Sequence, residues 1–463
     1  MAEENVFDIV VLGGGSGGYA TALRAAELGL SVALVEADKV GGTCLHRGCI
    51  PTKALLHAAE LADDARDGAA IGVHTTLERI DIGEVNQYKA GVVGRLYKGL
   101  QGLVASRKVE LVTGWGRLVA PDTVEVDHDG QRRRVVGRNV VLGSGSYSRT
   151  LPGLEIGGRV VTSDAALELD WVPRSVVVLG GGVIGCEFAS VWRSFGAEVT
   201  VVEALPHLVP NEDESVCKAF ERAFRKRGIA FSTGVRFAGV EQHESGVHVW
   251  LEDGKAFDAD LLLVAVGRGP ATENLGYEEQ GIAMDRGFVL TDERLRTNVP
   301  GVYAVGDIVP GLQLAHRGFA QGIFVAEQIA GLEPAPIVEA TIPRVTYSTP
   351  EVASVGLTEA AAKAEYGDDQ VVTLEYNLGG NGKSQILGTQ GFVKLVRRVD
   401  GPVVGVHMIG ARVGELVGEA QLIVAWEAYP DDVASLVHAH PTQNEAVGEA
   451  FLALAGKPLH AHA

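Results

Sequence analysis

A glycine-punctuated unit occurs twice in this chain at a fixed offset, and nothing else in the sequence restricts the fold as tightly. Residues 7–12, FDIVVL, form a short apolar run that ends in the glycine stretch 13–18, a helical segment follows to Gly29, and SVALVE closes on Glu36. The order strand, glycine turn, helix, strand, with GxGxxG at Gly13, Gly15 and Gly18 and an acidic residue 18 positions after Gly18, is the pattern of a dinucleotide-binding unit. Glycines there let the backbone approach a pyrophosphate at the helix N-terminus, while Glu36 can accept hydrogen bonds from a ribose. Gly180, Gly182, Gly185, Gly196 and Glu203 stand each 167 residues after Gly13, Gly15, Gly18, Gly29 and Glu36. Between them Phe188, Val191, Trp192 and Phe195 fall at i, i+3, i+4 and i+7, which predicts one apolar helix face laid on a sheet. Two such units predict two bound dinucleotides.

The second constraint is GGTCLHRGCIPTKA, residues 41–54, where four residues separate Cys44 from Cys49 and Pro51 follows. Only four cysteines occur in 463 residues, which argues against a structural disulfide framework and favours a redox pair or a metal site. In a regular helix, residues five apart lie about 7.5 Å along the axis and diverge by about 140°, too far for a bridge, so Cys44 is expected in a loop or distorted turn. Pro51 suits the first turn of a helix running through Ala54, Leu55, Ala58 and Ala59. Cys49 then sits at that helix's positive end, where a thiolate is stabilised. On this stretch alone two other readings stay open: a zinc site from Cys44, His46, Cys49 and His57, and two unrelated buried thiols. Because the pair follows the first unit directly, FAD is assigned to the first unit and a nicotinamide nucleotide to the second. Glu203 then favours NAD, since a carboxylate accepts from a free ribose 2′-hydroxyl and repels a 2′-phosphate.

Elsewhere the pattern is coarser. Residues 57–108 read as largely helical and 109–142 as short strands with turns at Pro121-Asp122 and Asp129-Gly130. LPG at 151–153 marks one boundary, and Gly267-Arg268-Gly269-Pro270 a turn near a second. A helix is expected over 213–227. VYAVGDI, 302–308, reads as a strand ending in Gly306 and Asp307, whose carboxylate either meets a ligand hydroxyl or caps the helix near 315–330. From Thr346 strands and turns precede an apolar helical stretch from Val413 to Ala428, giving a third, α+β unit with surface for an interface. In HAHPTQNEA, 438–446, Glu445 follows His440 by five positions, and such a carboxylate raises an imidazole's basicity and fixes its tautomer. His440 is the expected base.

Charge and hydropathy exclude several classes. The formal charge of −19, with no basic patch interleaved with aromatics, argues against nucleic acid. No apolar run reaches 18 residues, which argues against a membrane span. The beginning, MAEENVFDIVVLGGG, has no basic segment or cleavage site ahead of its strand, so a cytoplasmic location is expected. The sixty glycines fall in short runs without a period of three, as tight turns rather than collagen or disorder.

With these motifs assembled, the chain resembles the flavoprotein disulfide oxidoreductases over nearly its full length. GGTCLHRGCIPTK looks like that family's redox-disulfide motif, VYAVGDI like its flavin-ribityl motif and HAHPTQNEA like its C-terminal base motif. LAHRGFAQG and GNGKSQILG look like those members that oxidise dihydrolipoamide. The resemblance implies an α/β fold with an FAD-binding domain at 1–150, an NAD-binding domain at 151–270, a central domain at 271–342 completing the FAD site, and an α+β dimerisation domain at 343–463. It implies that Cys44 exchanges with substrate sulfur, that Cys49 is the thiolate against the flavin, and that Lys53 and Glu187 pair beside the isoalloxazine ring. Gly116, Ser146, Asp307 and Ala315 match flavin contacts, and Gly267 falls at the nucleotide-binding end of the second unit. Partners implied are lipoyl domains and the core acyltransferase of a 2-oxoacid dehydrogenase complex, or a glycine cleavage system, with a homodimer in which each site takes its base from the partner subunit. Gly143-Ser144-Gly145-Ser146 and Ala271 depart from the family pattern, and Cys186 and Cys217 match no redox position and read as structural. Glutathione reductases carry basic residues where Glu203 stands, and mercuric reductases need further C-terminal redox residues, which are absent after Cys217. Mycothione reductase is the rival enzyme reading, and a core-binding subunit with little turnover the rival from another class.

Overall fold

The computed structural model describes residues 6–461; the acidic tip at 1–5 lies outside it. The first unit runs β1 (Val6–Leu12), α1 (Ser16–Glu27) and β2 (Val32–Glu36), then α2 (Gly42–Arg47), α3 (Cys49–Asp67) and α4 (Ile82–Ser106). Four strands follow: β3 (Glu110–Thr113), β4 (Trp115–Ala120), β5 (Thr123–His128) and β6 (Gln131–Leu142). The sheet order is β3-β2-β1-β6-β5-β4, parallel from β3 through the C-terminal half of β6 and antiparallel beyond. Val302–Ala304 adds a parallel strand beside residues 140–142 of β6. Residues 162 positions further along thus complete the first sheet, and they bring Asp307 to its carboxyl end.

The second unit continues from β7 (Ser146–Ser148) through β8 (Val160–Thr162), α5 (Ser163–Ala166), β9 (Ser175–Leu179), α6 (Val183–Ser194), β10 (Glu198–Val202) and α7 (Glu214–Lys226). Its five-stranded sheet is parallel, with β10, β9, Leu261–Val264 and β8 in that order and Ala230–Ser232 on the outer edge. The offset seen in the sequence holds in three dimensions, since α1 begins at Ser16 and α6 at Val183, 167 residues later. Phe188, Val191, Trp192 and Phe195 are all buried, as their spacing predicts. Each stabilises the unit by roughly 1.5–3 kcal/mol relative to an exposed side chain. Cys186 and Cys217 are buried in the same core, each donating its thiol to a backbone carbonyl, and burial raises both.

The third unit is one antiparallel sheet, ordered Arg344–Thr346, Glu351–Gly356, Val403–Gly410, Phe392–Arg398 and Val371–Asn377, with helices Val413–Ala425 and Glu445–Leu454 against it. Four expectations change in detail. Cys44 lies in the short helix α2 rather than a loop, and the break that separates it from Cys49 is Gly48. Arg268–Pro270 is a strand paired antiparallel with β7 rather than a turn, because Ser146–Ser148 supplies a backbone edge that the local sequence does not reveal. The helix from Val413 stops at Ala425, and after Ala304 the strand gives way to a tight turn over Gly306–Ile308.

Candidate active site

Two short helices end to end position the sulfurs. Gly48 interrupts the helix after Arg47, so Cys49 opens α3 with its thiol beside that of Cys44, and Pro51 occupies the first turn, where its missing N–H costs nothing. Both cysteines are half-buried. They share a hydrogen bond, and its effects on the two partners are opposite. The donated bond from Cys44 pulls Cys49 down to about 7 against the effect of burial, and the Lys53 ammonium helps. Cys44 is pushed up by the same bond, by burial and by the nearby charge of its partner. In the reduced pair these effects favour Cys49 over Cys44 as the carrier of negative charge.

Lys53 stands one helical turn after Cys49 and reaches across to α6. Its Nζ lies 2.9 and 2.8 Å from Oε1 and Oε2 of Glu187, whose side chain is buried. Burial pushes Lys53 down, but the Glu187 carboxylate more than offsets it and the ammonium is retained. Packing of α3 on α6 makes this meeting possible, and the two helices are clasped again further along, where Arg227 bonds Asp63, Ser190 and Ser194. The zinc arrangement is not assembled: the His46 ring bonds the Val40 carbonyl at 3.0 Å and His57 faces Glu60.

A cleft of about 420 Å³ opens beside α2, between the first glycine turn, Glu36, Gly116 and the loop Gly143–Ser146. A Cβ on Gly18 would sit 1.8 Å from the Gly13 carbonyl oxygen, so only glycine allows this turn to pack on its own helix. A Cβ on Gly15 would meet nothing, and its open face over the N-terminus of α1 is a cradle for a pyrophosphate. Glu36 accepts the N–H groups of Gly14 (2.7 Å) and Asp38 (2.8 Å), one on each oxygen, leaving a lone pair on each for ribose hydroxyls. Asp307 accepts from Ser146 Oγ at 2.5 Å and does not cap the following helix, whose capping position is Leu314. That helix, Ala315–Ile329, opens on Ala315 and crosses α1 at Gly318 and Gly322, where a Cβ on Gly322 would meet the Gly17 carbonyl at 2.3 Å. These residues fit FAD.

Gly180, Gly182, Gly185 and Glu203 repeat the geometry: Glu203 accepts from Gly181 N–H and from Leu205 N–H, both at 2.7 Å. Gly267 lies just beyond the carboxyl end of Leu261–Val264, on the side where ligands of such sheets bind, and accepts from Arg149 N–H at 3.0 Å. Ser144, one departure from the family pattern, is partnered by the buried Tyr277 hydroxyl at 3.0 Å. Ala271 donates its N–H to the Gly145 carbonyl at 2.9 Å, a backbone bond independent of its side chain.

His440 and Glu445 pair as expected, Nδ1 to Oε1 at 2.8 Å. A carboxylate only accepts, so Nδ1 carries the proton and Nε2 is the free base. Burial pushes Glu445 up, but the N–H of Thr442 and the imidazole hold it below the usual carboxylate range. The imidazole is exposed on the third unit, and the groups acting on the two thiols are Lys53, Glu187 and Asp307, with His440 not among them. One chain thus assembles cysteines, ion pair and both nucleotide turns, and carries the base exposed on its third unit. Sequence reasoning missed Tyr347, Arg268 and Gln321. Tyr347 reaches the ion pair from the third unit, Arg268 bonds Ser146 through Nε (2.7 Å) and Nη2 (2.8 Å), and the buried Gln321 accepts the Gly306 N–H at 2.7 Å.

Residues 7–322 match the model of the pyridine nucleotide-disulphide oxidoreductases, and residues 342–451 that of the dimerisation domain of the same enzymes. The chain is 39% identical to a dihydrolipoyl dehydrogenase of Bacillus subtilis over 99% of its own length and 100% of the relative's. It is 37% identical to the mitochondrial dihydrolipoyl dehydrogenase of Pisum sativum over 99% of its length and 93% of the relative's. Among solved structures, LpdA of Mycobacterium tuberculosis superposes with a TM-score of 0.90 at 27% identity, covering 96% of this chain and 99% of that one. The HOCl-induced flavoprotein disulfide reductase RclA of Escherichia coli superposes at 0.87 with 25% identity, over 97% and 100%. Among the described residues no helix is long and apolar enough to cross a membrane.

Proposed function

The chain belongs to the pyridine nucleotide-disulphide oxidoreductase family, and on that premise we propose that it oxidises protein-bound dihydrolipoamide to lipoamide with NAD as acceptor. It is a flavoprotein oxidoreductase that uses FAD and NAD. The observation that carries the substrate is similarity to dihydrolipoyl dehydrogenases at 37–39% identity over nearly the whole of both chains. Residues 1–150 and 271–342 build the FAD half, 151–270 the NAD half and 343–463 the interface of a homodimer. A cytoplasmic location and service to a 2-oxoacid dehydrogenase complex, docked through lipoyl domains and a core acyltransferase, belong to the same proposal.

The chemistry follows from the placement of the side chains. His440 Nε2 takes a proton from one substrate thiol, and Glu445 stabilises the imidazolium so formed. The substrate thiolate attacks Cys44 of the Cys44–Cys49 disulfide, forming a mixed disulfide and releasing Cys49 as thiolate. The second substrate sulfur closes the lipoamide ring and expels Cys44, which leaves as thiol with the proton that sulfur gave up. Two electrons now reside on the cysteine pair, with the charge on Cys49 beside Lys53. Bound FAD, held by the first glycine turn, Glu36, Gly116, Ser146, Asp307 and Ala315, supplies the two-electron relay from this pair to NAD. Gly180, Gly182, Gly185, Glu203 and Gly267 hold NAD.

A second reading, reduction of another disulfide substrate, has support from the superposition on RclA. Assaying the isolated holoenzyme with dihydrolipoamide and NAD separates the two. Turnover of dihydrolipoamide is expected, and no turnover beside activity on a different disulfide would replace the first reading with the second.

A further inference from the structure

We propose that Tyr347 is a positioning residue of the redox centre, whose ring face holds the Lys53 ammonium against Cys49. Tyr347 lies on the third unit, between Thr346 and the strand that begins at Glu351, far in sequence from either partner of the ion pair. Its ring centroid is 4.8 Å from Lys53 Nζ, and its own N–H donates to Glu187 Oε1 at 3.0 Å. One residue thus touches both members of the pair, by two different contacts. The backbone bond fixes the carboxylate whatever side chain stands at 347. The ring acts on the cation, as an aromatic face attracts an ammonium and more strongly where water is excluded.

The consequence reaches Cys49. Lys53 sits one helical turn from the thiolate, and its field there is stronger the less water screens it. Groups facing Cys49 are Cys44 from α2, Lys53 from its own helix, Glu187 from α6 and, across Lys53, Tyr347. Behind them Asp307 and Tyr19 face Cys44, while Glu351 and Glu415 face Tyr347. Lys53 is the one cation in that set. No hydrogen bond engages the Tyr347 hydroxyl among the described residues, so the ring rather than the oxygen is the working part.

This rests on the reading of Cys49 as the thiolate, and the experiment separates the two. In holoenzyme carrying Cys44→Ser, long-wavelength flavin absorbance is titrated against pH alone, with Tyr347→Leu and with Tyr347→Phe, and Cys49 alkylation by iodoacetamide is timed at pH 6. Tyr347→Leu is expected to raise the titration midpoint by about half a unit and slow alkylation about threefold, while Tyr347→Phe titrates with the parent. A leucine variant that titrates with the parent overturns the proposal, as does a phenylalanine variant shifted as far as the leucine one. A parent in which Cys49 titrates as an ordinary thiol overturns the underlying reading instead.

Discussion

The carboxylates of Glu36 and Glu203 are held the same way, each accepting the N–H of the middle glycine of its own turn at 2.7 Å. Each also accepts a second N–H two residues on, at Asp38 and Leu205. Both side chains are therefore fixed before any nucleotide arrives. A pre-oriented carboxylate at the ribose position discriminates by hydrogen bonding to a 2′-hydroxyl and by repelling a 2′-phosphate.

Strong preference for NAD over NADP is the first prediction. In Glu203→Gln the acceptor oxygen survives and the charge does not, so the NAD to NADP ratio of kcat/KM should fall about tenfold or more, mostly through KM. Rates with the two nucleotides at equal concentration check it. Equal rates in the native protein would remove Glu203 as the selector.

The second prediction assigns the thiolate. With Cys49 pulled down to about 7, its charge is present above that pH and lost as pH falls through it. Cys44→Ser holoenzyme should show long-wavelength absorbance at neutral pH without any reductant, because the serine hydroxyl still donates to Cys49. Cys49→Ser should lack the band even after two-electron reduction. A reversed pattern would make Cys44 the flavin-facing sulfur.

What the sequence revealed and what it hid divide along a physical line. The two glycine turns were legible because close backbone approach admits no other residue, so the constraint is written in residue type: Gly18 against the Gly13 carbonyl has its twin in Gly185 against Gly180. Lys53 with Glu187 came from resemblance, and the bond between Ser146 and Asp307 was not anticipated, since no local pattern links residues 134 or 161 apart. The helix around Cys44 is six residues long, too short for a periodic signal. Tyr347 was illegible for another reason. Its contribution is a backbone N–H and a ring face, and neither distinguishes it from any aromatic residue before a strand.

A third prediction concerns the seam between the second and third units. Asp213 caps α7 and is bonded to the buried Lys394 at 2.8 Å, while Lys394 also meets Glu359 at 2.7 Å. Burial pushes Asp213 up, but Lys394, the Glu359 N–H and Ser215 hold it well below the usual carboxylate range. A depressed folded value stabilises the fold above the unfolded value of about 3.9 and loses that contribution as pH falls toward the folded value. Asp213→Asn keeps the cap and removes the charge, so at pH 7 it should destabilise by about 1–3 kcal/mol, less than for a pair with no second carboxylate. Thermal midpoints of native and variant should converge as pH drops below about 4. A gap that stays constant with pH would show that the ion pair contributes nothing.

The last prediction concerns where His440 works. Its imidazole pairs with Glu445 and is exposed, and both the residues around it and the pair's other partner, Thr442, belong to the third unit. The thiols lie in the first unit among Lys53, Glu187 and Asp307. A base presented outward on a unit that matches a dimerisation domain suits a site completed by a second copy. Two inactive variants test it, Cys44→Ser and His440→Gln, co-expressed with different tags so that mixed dimers can be isolated. If the site is shared, a mixed dimer has one site with both substitutions and one with both native residues, and about half of native activity returns, since residues acting as a unit fail or work together. If each chain supplies its own base, both sites stay defective. Verified mixed dimers without activity would therefore place base and disulfide in one chain and free catalysis from any need for the dimer.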